Sequence, residues 1–405
     1  MAALCRPSVP RIANGTLRTR SFRLWQSNGL VKPTACFSSS AVPHEKVAVL
    51  YQAIEPPIIN GVRKPMKPGG YRDSGADIAY NLQASRSIQA VTPVSNPSPR
   101  VDSDWCFPDT EDGILSAVNQ GATHLWANTI LFASHPLQVS SKLALHQDSL
   151  HVIGHGPLVV EKYDDKELVN NLLRRTGGFT MPRSWTISSS ATLADDLKRE
   201  DLPFPIVAKP VRGRGSHGVK VCRDLADLTS HAETLFQESS TIMLEEYLAG
   251  EEATVTMMPP SSSNKDYWSL PIVTRFNHQD GIAPYNGVVA VTANSRVVSR
   301  EEMKDPAYSR IAEECEGVAR LLGVTAPIRI DVRRFEISTA SRFALFDVNM
   351  KPNMTGPGRP GRDDQASLTL LAAEALGWDY QQLLRQILST SCSLRTLREL
   401  KPKIG

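Results

Sequence analysis

The chain contains no uninterrupted apolar run of the roughly 20 residues that a bilayer-spanning helix needs, which excludes a helical membrane span. Its six cysteines are scattered without a close pair, so neither a disulfide framework nor a zinc site is written into it, and a reducing compartment is expected. The nine histidines show no pair at metal-ligand spacing. Net charge is nearly absent: 45 Lys and Arg against 42 Asp and Glu leave +3, too little to argue for a nucleic-acid partner. Acidic residues are missing altogether before Glu45, while Arg6, Arg11, Arg18, Arg20, Arg23 and Lys32 stand there among many Ser and Thr. That composition is the one a mitochondrial transit peptide carries. Residues 1–44 are therefore expected to direct the protein to the mitochondrial matrix; the alternative is a disordered basic tail on a cytoplasmic protein, toward which Pro7, Pro10 and Pro33 point by interrupting any helix.

What is present is an ordinary soluble composition, 41% hydrophobic and 21% charged, over 405 residues, more than one typical core accommodates. Its most informative feature is a pair of short segments, Arg329-Ile330-Asp331-Val332 and Phe346-Asp347-Val348-Asn349, the second running into Met350-Lys351-Pro352-Asn353-Met354-Thr355. Each alternates apolar and polar residues with period two, the signature of a strand with one buried face. Between them the small polar residues around Thr339 suit a chain reversal. A hairpin centred there puts Asp331 opposite Asp347 and Arg329 opposite Asn349. Facing carboxylates repel unless a cation sits between them, and magnesium binds through one or two carboxylates plus substrate phosphates. A merely solvated hairpin would show the same letters, so the order of the surrounding segments has to decide.

Upstream, the apolar strand Phe204-Pro205-Ile206-Val207-Ala208-Lys209-Pro210 leads into Val211-Arg212-Gly213-Arg214-Gly215-Ser216-His217-Gly218. Gly213, Gly215 and Gly218 have the spacing of a dinucleotide fingerprint, but strand-like alternation resumes at Val219-Lys220-Val221-Cys222 where that fingerprint requires a helix. The glycines are thus expected to cap a hairpin whose backbone N–H groups cover nucleotide phosphates; His217 is the one histidine placed to join them. A kinase reading fails, because Lys209 precedes the loop and no His-Arg-Asp or Asp-Phe-Gly segment follows. Next, Thr241-Ile242-Met243-Leu244-Glu245-Glu246-Tyr247-Leu248 and Ala249-Gly250-Glu251-Glu252-Ala253-Thr254-Val255 form a strand and acidic linker able to offer acceptors to an adenine amino group and a ribose.

Taken in order, these segments resemble the ATP-grasp superfamily, most closely its D-alanine:D-alanine ligase-like carboxylate–amine ligases, with Asp165-Lys166 and Asn170 matching the family's first phosphate-contacting lysine segment. The resemblance covers roughly residues 150 to 390 and implies an α/β (α+β) ATP-grasp fold of three subdomains with the nucleotide held between two β-sheets. It divides the chain into residues 1–44, an N-terminal α/β domain at 45–155, a central subdomain with the glycine loop at 156–248 and a C-terminal subdomain with the metal site at 249–405. It implies that Lys166, Lys209, Gly215, Ser216 and Gly218 contact ATP phosphates, that Glu245 and Leu248 meet adenine and Glu252 the ribose, that Asp331, Asp347 and Asn349 bind two Mg2+ ions (Mn2+ serving as well), and that Arg329 is catalytic, stabilising a developing oxyanion.

The function implied is ATP-dependent amide or peptide bond formation between amino acids or related small molecules through an acylphosphate. The alternatives are another ATP-grasp chemistry, carboxylation or ligation to a protein side chain, and an inactive nucleotide-binding protein. The expected partners are a small carboxylate and an amine, with no nucleic acid and no membrane, and a homodimer as an open alternative. Three departures from the family pattern leave the substrates open: Asp347 replaces a usual Glu, Asn353 replaces a usual Gly beside the reacting carbonyl, and the serine that receives the acceptor carboxylate has no counterpart in Gly356-Pro357-Gly358-Arg359-Pro360-Gly361-Arg362. The forked donors of Arg359 and Arg362 are expected to bind that carboxylate instead.

Overall fold

The computed structural model describes residues 45–85, 87–188, 201–283 and 290–403, so the expected targeting segment lies outside the described residues. Among the described residues three larger sheets follow one another along the chain, beside a two-stranded hairpin of Ile58–Ile59 with Val62–Arg63. The first is built on β1 (Glu45–Tyr51), whose central residues Val47 to Leu50 are buried, as a strand covered on both faces requires. Parallel to it run β2 (Ile88–Val91), β3 (Cys106–Pro108) and β4 (His124–Asn128), and β5 (His151–Ile153) pairs with β4 in the same sense. Helix α1 (Arg72–Gln83) packs on this sheet through Ala76, Ile78, Ala79 and Leu82.

The second sheet is antiparallel throughout, in the order β8 (Lys220–Cys222), β7 (Ile206–Pro210), β9 (Ile242–Glu246), β6 (Ser184–Ile187). Its alternation is readable from the sequence. Ile206 and Ala208 face Leu228, Ala232 and Leu235 of the helix Leu225–Leu235, while Val207 and Lys209 face the other way, into a cavity. The glycine segment connects β7 and β8 as an antiparallel hairpin, as its spacing predicts. Ser216 there has φ 61 and Gly218 φ 70, and a Cβ on Gly218 would lie 2.8 Å from Leu235. Gly218 shapes the turn and is absent from the cavity wall.

The third sheet runs β13 (Ser295–Val297), β12 (Val273–Arg275), β10 (Glu252–Met258), β14 (Ile328–Arg334), β15 (Phe343–Asn349), with β11 (Trp268–Ser269) beside β10. Ile328, Ile330 and Val332 pack with Ala253, Val255 and Met257 against Tyr308, Ile311, Cys315 and Val318 of the helix Pro306–Leu322. Burying that face obliges Arg329, Asp331 and Arg333 to take the opposite one.

The register of β14 and β15 is the one the sequence predicts, Asp331 opposite Asp347 and Arg329 opposite Asn349. It then shifts: Val332 is opposite Leu345, so Phe346 is an extra residue, a bulge that even alternation does not announce. The end of the chain also leaves the third sheet. β16 (Cys392–Ser393) pairs antiparallel with β5, and Leu394 and Leu397 sit in the first sheet's core.

His155 joins the first sheet to the approach of β14. Its Nδ1 accepts the Thr325 N–H at 3.3 Å, and Thr325 Oγ1 donates to the Gly154 carbonyl at 2.9 Å. Burial lowers its pKa to about 4, against the raising effect of the Met350 and Pro327 backbone. With the folded value below the unfolded one, the unfolded chain binds more protons between about pH 4 and 6.5, so this stability is full above that window and lost as pH falls through it. His155→Gln is expected to flatten the dependence, removing on the order of 2 kcal/mol of the loss between pH 7 and pH 5. Urea midpoints at the two pH values check it; an unchanged difference between them contradicts it.

Candidate functional site

Between the second and third sheets, and reaching the loop before α1, lies a cavity of about 760 Å³. This is within the roughly 300–1,000 Å³ range of small-molecule sites. Lys166, Lys209, Gly215, Ser216, His217, Glu245, Leu248, Glu252, Arg329, Asp331, Asp347, Asn349 and Arg362 all line it. Segments scattered over some 200 positions are thus brought together, and of the site residues expected from the sequence only Gly218 and Arg359 stand off the wall.

Lys166 is the first residue of the helix Lys166–Thr176, whose N-terminus Asp165 caps by accepting the Leu168 N–H at 3.0 Å. The Lys166 N–H donates to the Val211 carbonyl at 3.1 Å, tying this helix to the glycine segment. Its ammonium forms a short ion pair with Asp347. Burial opposes both charges, but their mutual attraction outweighs it: the Lys166 pKa is raised and that of Asp347 lowered, the latter with help from Lys209 and Arg329. Both groups are therefore charged at neutral pH.

Arg329 donates from Nε and Nη2 to the two oxygens of Asp331, each at 2.8 Å. Asn349 Nδ2 donates to Asp331 at 3.0 Å and to Asp347 at 3.5 Å. The cations that quench the facing carboxylates are thus side chains of the protein itself.

The Phe346 bulge has a use, since its carbonyl, one residue from Asp347, accepts from Lys209 Nζ at 3.2 Å. Lys209 also pairs with Glu245 at 2.5 Å, and the other Glu245 oxygen accepts from Asn170 at 2.9 Å. Glu245 therefore holds Lys209 as well as lining the cavity, and Glu246, Tyr247 and Leu248 extend the wall beside it. Glu252 faces two guanidinium groups, Arg275 at 3.5 Å and Arg333 at 3.7 Å, and the imidazole of His278 at 2.8 Å. His217 lies on the wall with its imidazole on Glu238 at 2.6 Å.

Two carboxylates in direct register with a carboxamide beside them fit a magnesium ion, which asks for few protein ligands and completes its shell with phosphate and water. Asn349 as placed turns its NH2 to the carboxylates; rotation of the amide presents Oδ1 instead. Among the described residues no cluster of three or more His, Cys, Asp or Glu competes for that role.

Arg359 requires a correction. It is 1% exposed, donating to Asp77 at 2.7 Å, Asp102 at 2.8 Å and the Pro99 carbonyl at 3.0 Å, so it cross-links the connector to α1 and stands behind the cavity wall, its forked donors already taken. The glycine-rich spelling of the segment concealed its partner, Asp77, which lies more than 280 positions away. Arg362 reaches the wall with Nε and Nη2 on the same Asp77, both at 2.8 Å.

The sequence reading also missed Lys351. Its Nζ donates to Asn128 Oδ1 at 2.8 Å and lies 3.7 Å from the centre of the Tyr71 ring. Burial and the neighbouring Lys67 lower its pKa to about 7.

An antiparallel sheet with a glycine hairpin, closing with a second sheet on a cavity where two lysines, an arginine and paired carboxylates meet, defines the ATP-grasp class. Residues 179–389, more than half of the chain, match the family described as D-ala D-ala ligase C-terminus, and the chain belongs to that family. Among curated proteins it is similar to a D-alanine–D-alanine ligase of Bacillus anthracis, 29% identical over 236 residues that make up 57% of this chain and 68% of the relative. The crystal structure of D-alanine–D-alanine ligase from Bacillus anthracis complexed with ATP has the same fold, with a TM-score of 0.56 and 20% identity over 88% of this chain and 99% of that one. So does the VanG D-Ala:D-Ser ligase from Enterococcus faecalis, with a TM-score of 0.57 and 13% identity over 86% and 99%.

Proposed function

We propose that the protein is an ATP- and magnesium-dependent carboxylate–amine ligase that joins two amino acids, or an amino acid and a related small molecule. The observation that carries this is the register of Asp331 with Asp347 under Arg329, Lys166 and Lys209 in one cavity. An oxygen of the first substrate's carboxylate attacks the γ-phosphorus of ATP and ADP leaves. The amine of the second substrate then attacks the acyl carbon, the carbon–nitrogen bond forms, phosphate departs and the nitrogen loses a proton.

The demands on the protein are positioning and charge neutralisation, not a protein nucleophile. Lys166 and Lys209 hold phosphate oxygens under the amides of the glycine hairpin, with Glu245 and Asn170 keeping Lys209 extended. Glu252, with Leu248, takes the nucleoside. Arg329, fixed by Asp331, faces the oxyanion of the tetrahedral step. Asp331, Asp347 and Asn349 would hold the magnesium, whose chemistry is to neutralise the phosphates.

The test is ADP release from the whole protein over a panel of amino-acid pairs, with product mass measured. Amide product formed with stoichiometric ADP is expected. Turnover that requires bicarbonate, or nucleotide binding with no turnover on any pair, overturns the reading.

A further inference from the structure

On one wall of the cavity a carboxylate is held by a side chain that does not itself reach the cavity. Glu252, the first residue of β10, lines it and is 4% exposed. His278, in the turn after β12, stands behind that wall with its Nε2 at 2.8 Å from Glu252 Oε2. A carboxylate accepts and does not donate, so the proton of this bond sits on Nε2. Arg275 and Arg333 flank the same carboxylate at 3.5 and 3.7 Å, beyond the roughly 2.7–3.2 Å of a well-formed N–H···O bond, so the imidazole sets its direction.

The turn is built to deliver this imidazole. Asn277, Asp280 and Gly281 have φ of 57, 48 and 80, left-handed conformations that persist where the surroundings enforce them. The surroundings do so here. Gln279 and Ile282 exchange two backbone hydrogen bonds of 2.9 Å, Phe276 N–H donates to the Asn294 carbonyl at 2.9 Å, and Asn277 Nδ2 donates to the Ala293 carbonyl at 3.1 Å. Arg333 donates to the Gly281 carbonyl at 2.6 Å and to the Tyr247 hydroxyl at 3.2 Å, and a Cβ on Gly281 would lie 2.7 Å from that hydroxyl. The chain is thus pinned on both sides of His278.

The chemistry of the wall says what Glu252 can meet. Phosphate oxygens are acceptors and call for Lys166 and Lys209, which gather beside Asp347 and the Phe346 carbonyl. Glu252 calls for the reverse, a group that donates. Of the parts of ATP, the adenine amino group and the ribose hydroxyls do so. Vicinal hydroxyls match the paired oxygens of one carboxylate, and Glu245, the other buried glutamate on the wall, already has its oxygens on Lys209 and Asn170.

We propose that His278 is a positioning residue for nucleotide selection: by aligning Glu252 it makes binding depend on the ribose hydroxyls. This rests on the reading of the cavity as an ATP site and adds to it the residue that sets selectivity for the sugar. His278 acts only through Glu252 and touches no substrate.

The experiment is calorimetric titration of the full chain, with Mg2+ present, by a non-hydrolysable ATP analogue and by its 2′-deoxy and 3′-deoxy counterparts. At least one deoxy compound is expected to bind about tenfold or more weakly, the scale of a hydrogen bond to a charged group. His278→Ala is expected to erase that difference, and His278→Gln, which returns an N–H donor, to keep most of it. In a Glu252→Ala background, His278→Ala should change the ratio no further, because the two residues act as one unit. A merely structural role would weaken all three nucleotides alike and leave the ratio intact. The comparison in the unaltered protein stands even if a variant fails to fold. Equal affinity for the ribose and both deoxy forms, which would give Glu252 to a substrate ammonium, overturns the proposal. So does a ratio that survives His278→Ala, or one that His278→Ala still changes when Glu252 is gone. Failure of the underlying reading looks different: no nucleotide binds, which overturns both, or the ratio stands while no substrate pair yields ADP and amide, which overturns the ligase alone.

Discussion

Asp77→Leu is expected to destabilise the protein by about 3 kcal/mol, the scale of removing one partner from a buried ion pair. Asp77 is fully buried on α1 and holds three groups at once: Arg359 at 2.7 Å, Arg362 at 2.8 Å from both Nε and Nη2, and Thr355 Oγ1 at 2.5 Å. Its removal leaves the guanidinium of Arg359, 1% exposed, with Asp102 as its one remaining carboxylate among the described residues, and Asp102 is partly in solvent. The cost comes from the stranded cation more than from the lost attraction, since an ion pair replaced as a unit by apolar groups is often nearly neutral. The double variant Asp77→Leu/Arg359→Met should therefore lose less than Asp77→Leu alone. Urea midpoints measured without nucleotide decide this; a double variant that loses the sum of both single changes would show that the pair is not the source. Turnover should fall in Asp77→Leu as well, because the contact to Thr355 anchors the segment that carries Asn353 to the cavity.

That network shows where sequence reasoning stops. The hairpin of Asp331 and Asp347 was legible because period-two alternation on two nearby segments, with an evident turn between them, fixes register by local information alone. The order of glycine loop, acidic linker and paired strands was legible for the same reason. Arg359 was not. Two arginines among glycines look like donors awaiting a ligand, and only the packing of α1 against residues 355–362 shows that Asp77 already occupies them.

The Phe346 bulge was invisible on different grounds. One added residue leaves composition and alternation almost unchanged, yet it turns a backbone carbonyl toward Lys209. Lys351 sits inside a recognised motif at a position of no assigned role, so its meaning depends on Tyr71 and Asn128, which are 280 and 223 positions away in the chain. The long-range contacts of the N-terminal domain complete this end of the cavity, and those are what spacing within a segment does not encode.

Asp331→Asn is expected to lower kcat by roughly 10³-fold, the scale on which losing a preorganised charge at a reacting centre acts. The side chain does two things that the substitution separates. It accepts both Arg329 donors, Nε and Nη2 at 2.8 Å, which fixes where the guanidinium points. It also places a negative charge in register with Asp347, in the donor set that fits magnesium. Asparagine keeps the size of the side chain but offers one acceptor oxygen and turns an NH2 group toward a cation. Arg329 is then held by a single bond and the metal site loses half of its carboxylate charge. The two roles leave different marks. If orientation of Arg329 dominated, kcat would fall at an unchanged Mg2+ requirement, and Arg329→Met would be as slow as the double variant. If Asp331 is a ligand, the Mg2+ concentration for half-maximal turnover rises as well, and the double variant is slower than either single one. The second pattern is expected, because Asp331 is opposed directly by Asp347 with Asn349 beside both, a set of oxygen donors of the kind magnesium takes together with phosphate and water. Turnover near that of the unaltered protein would remove Asp331 from the site.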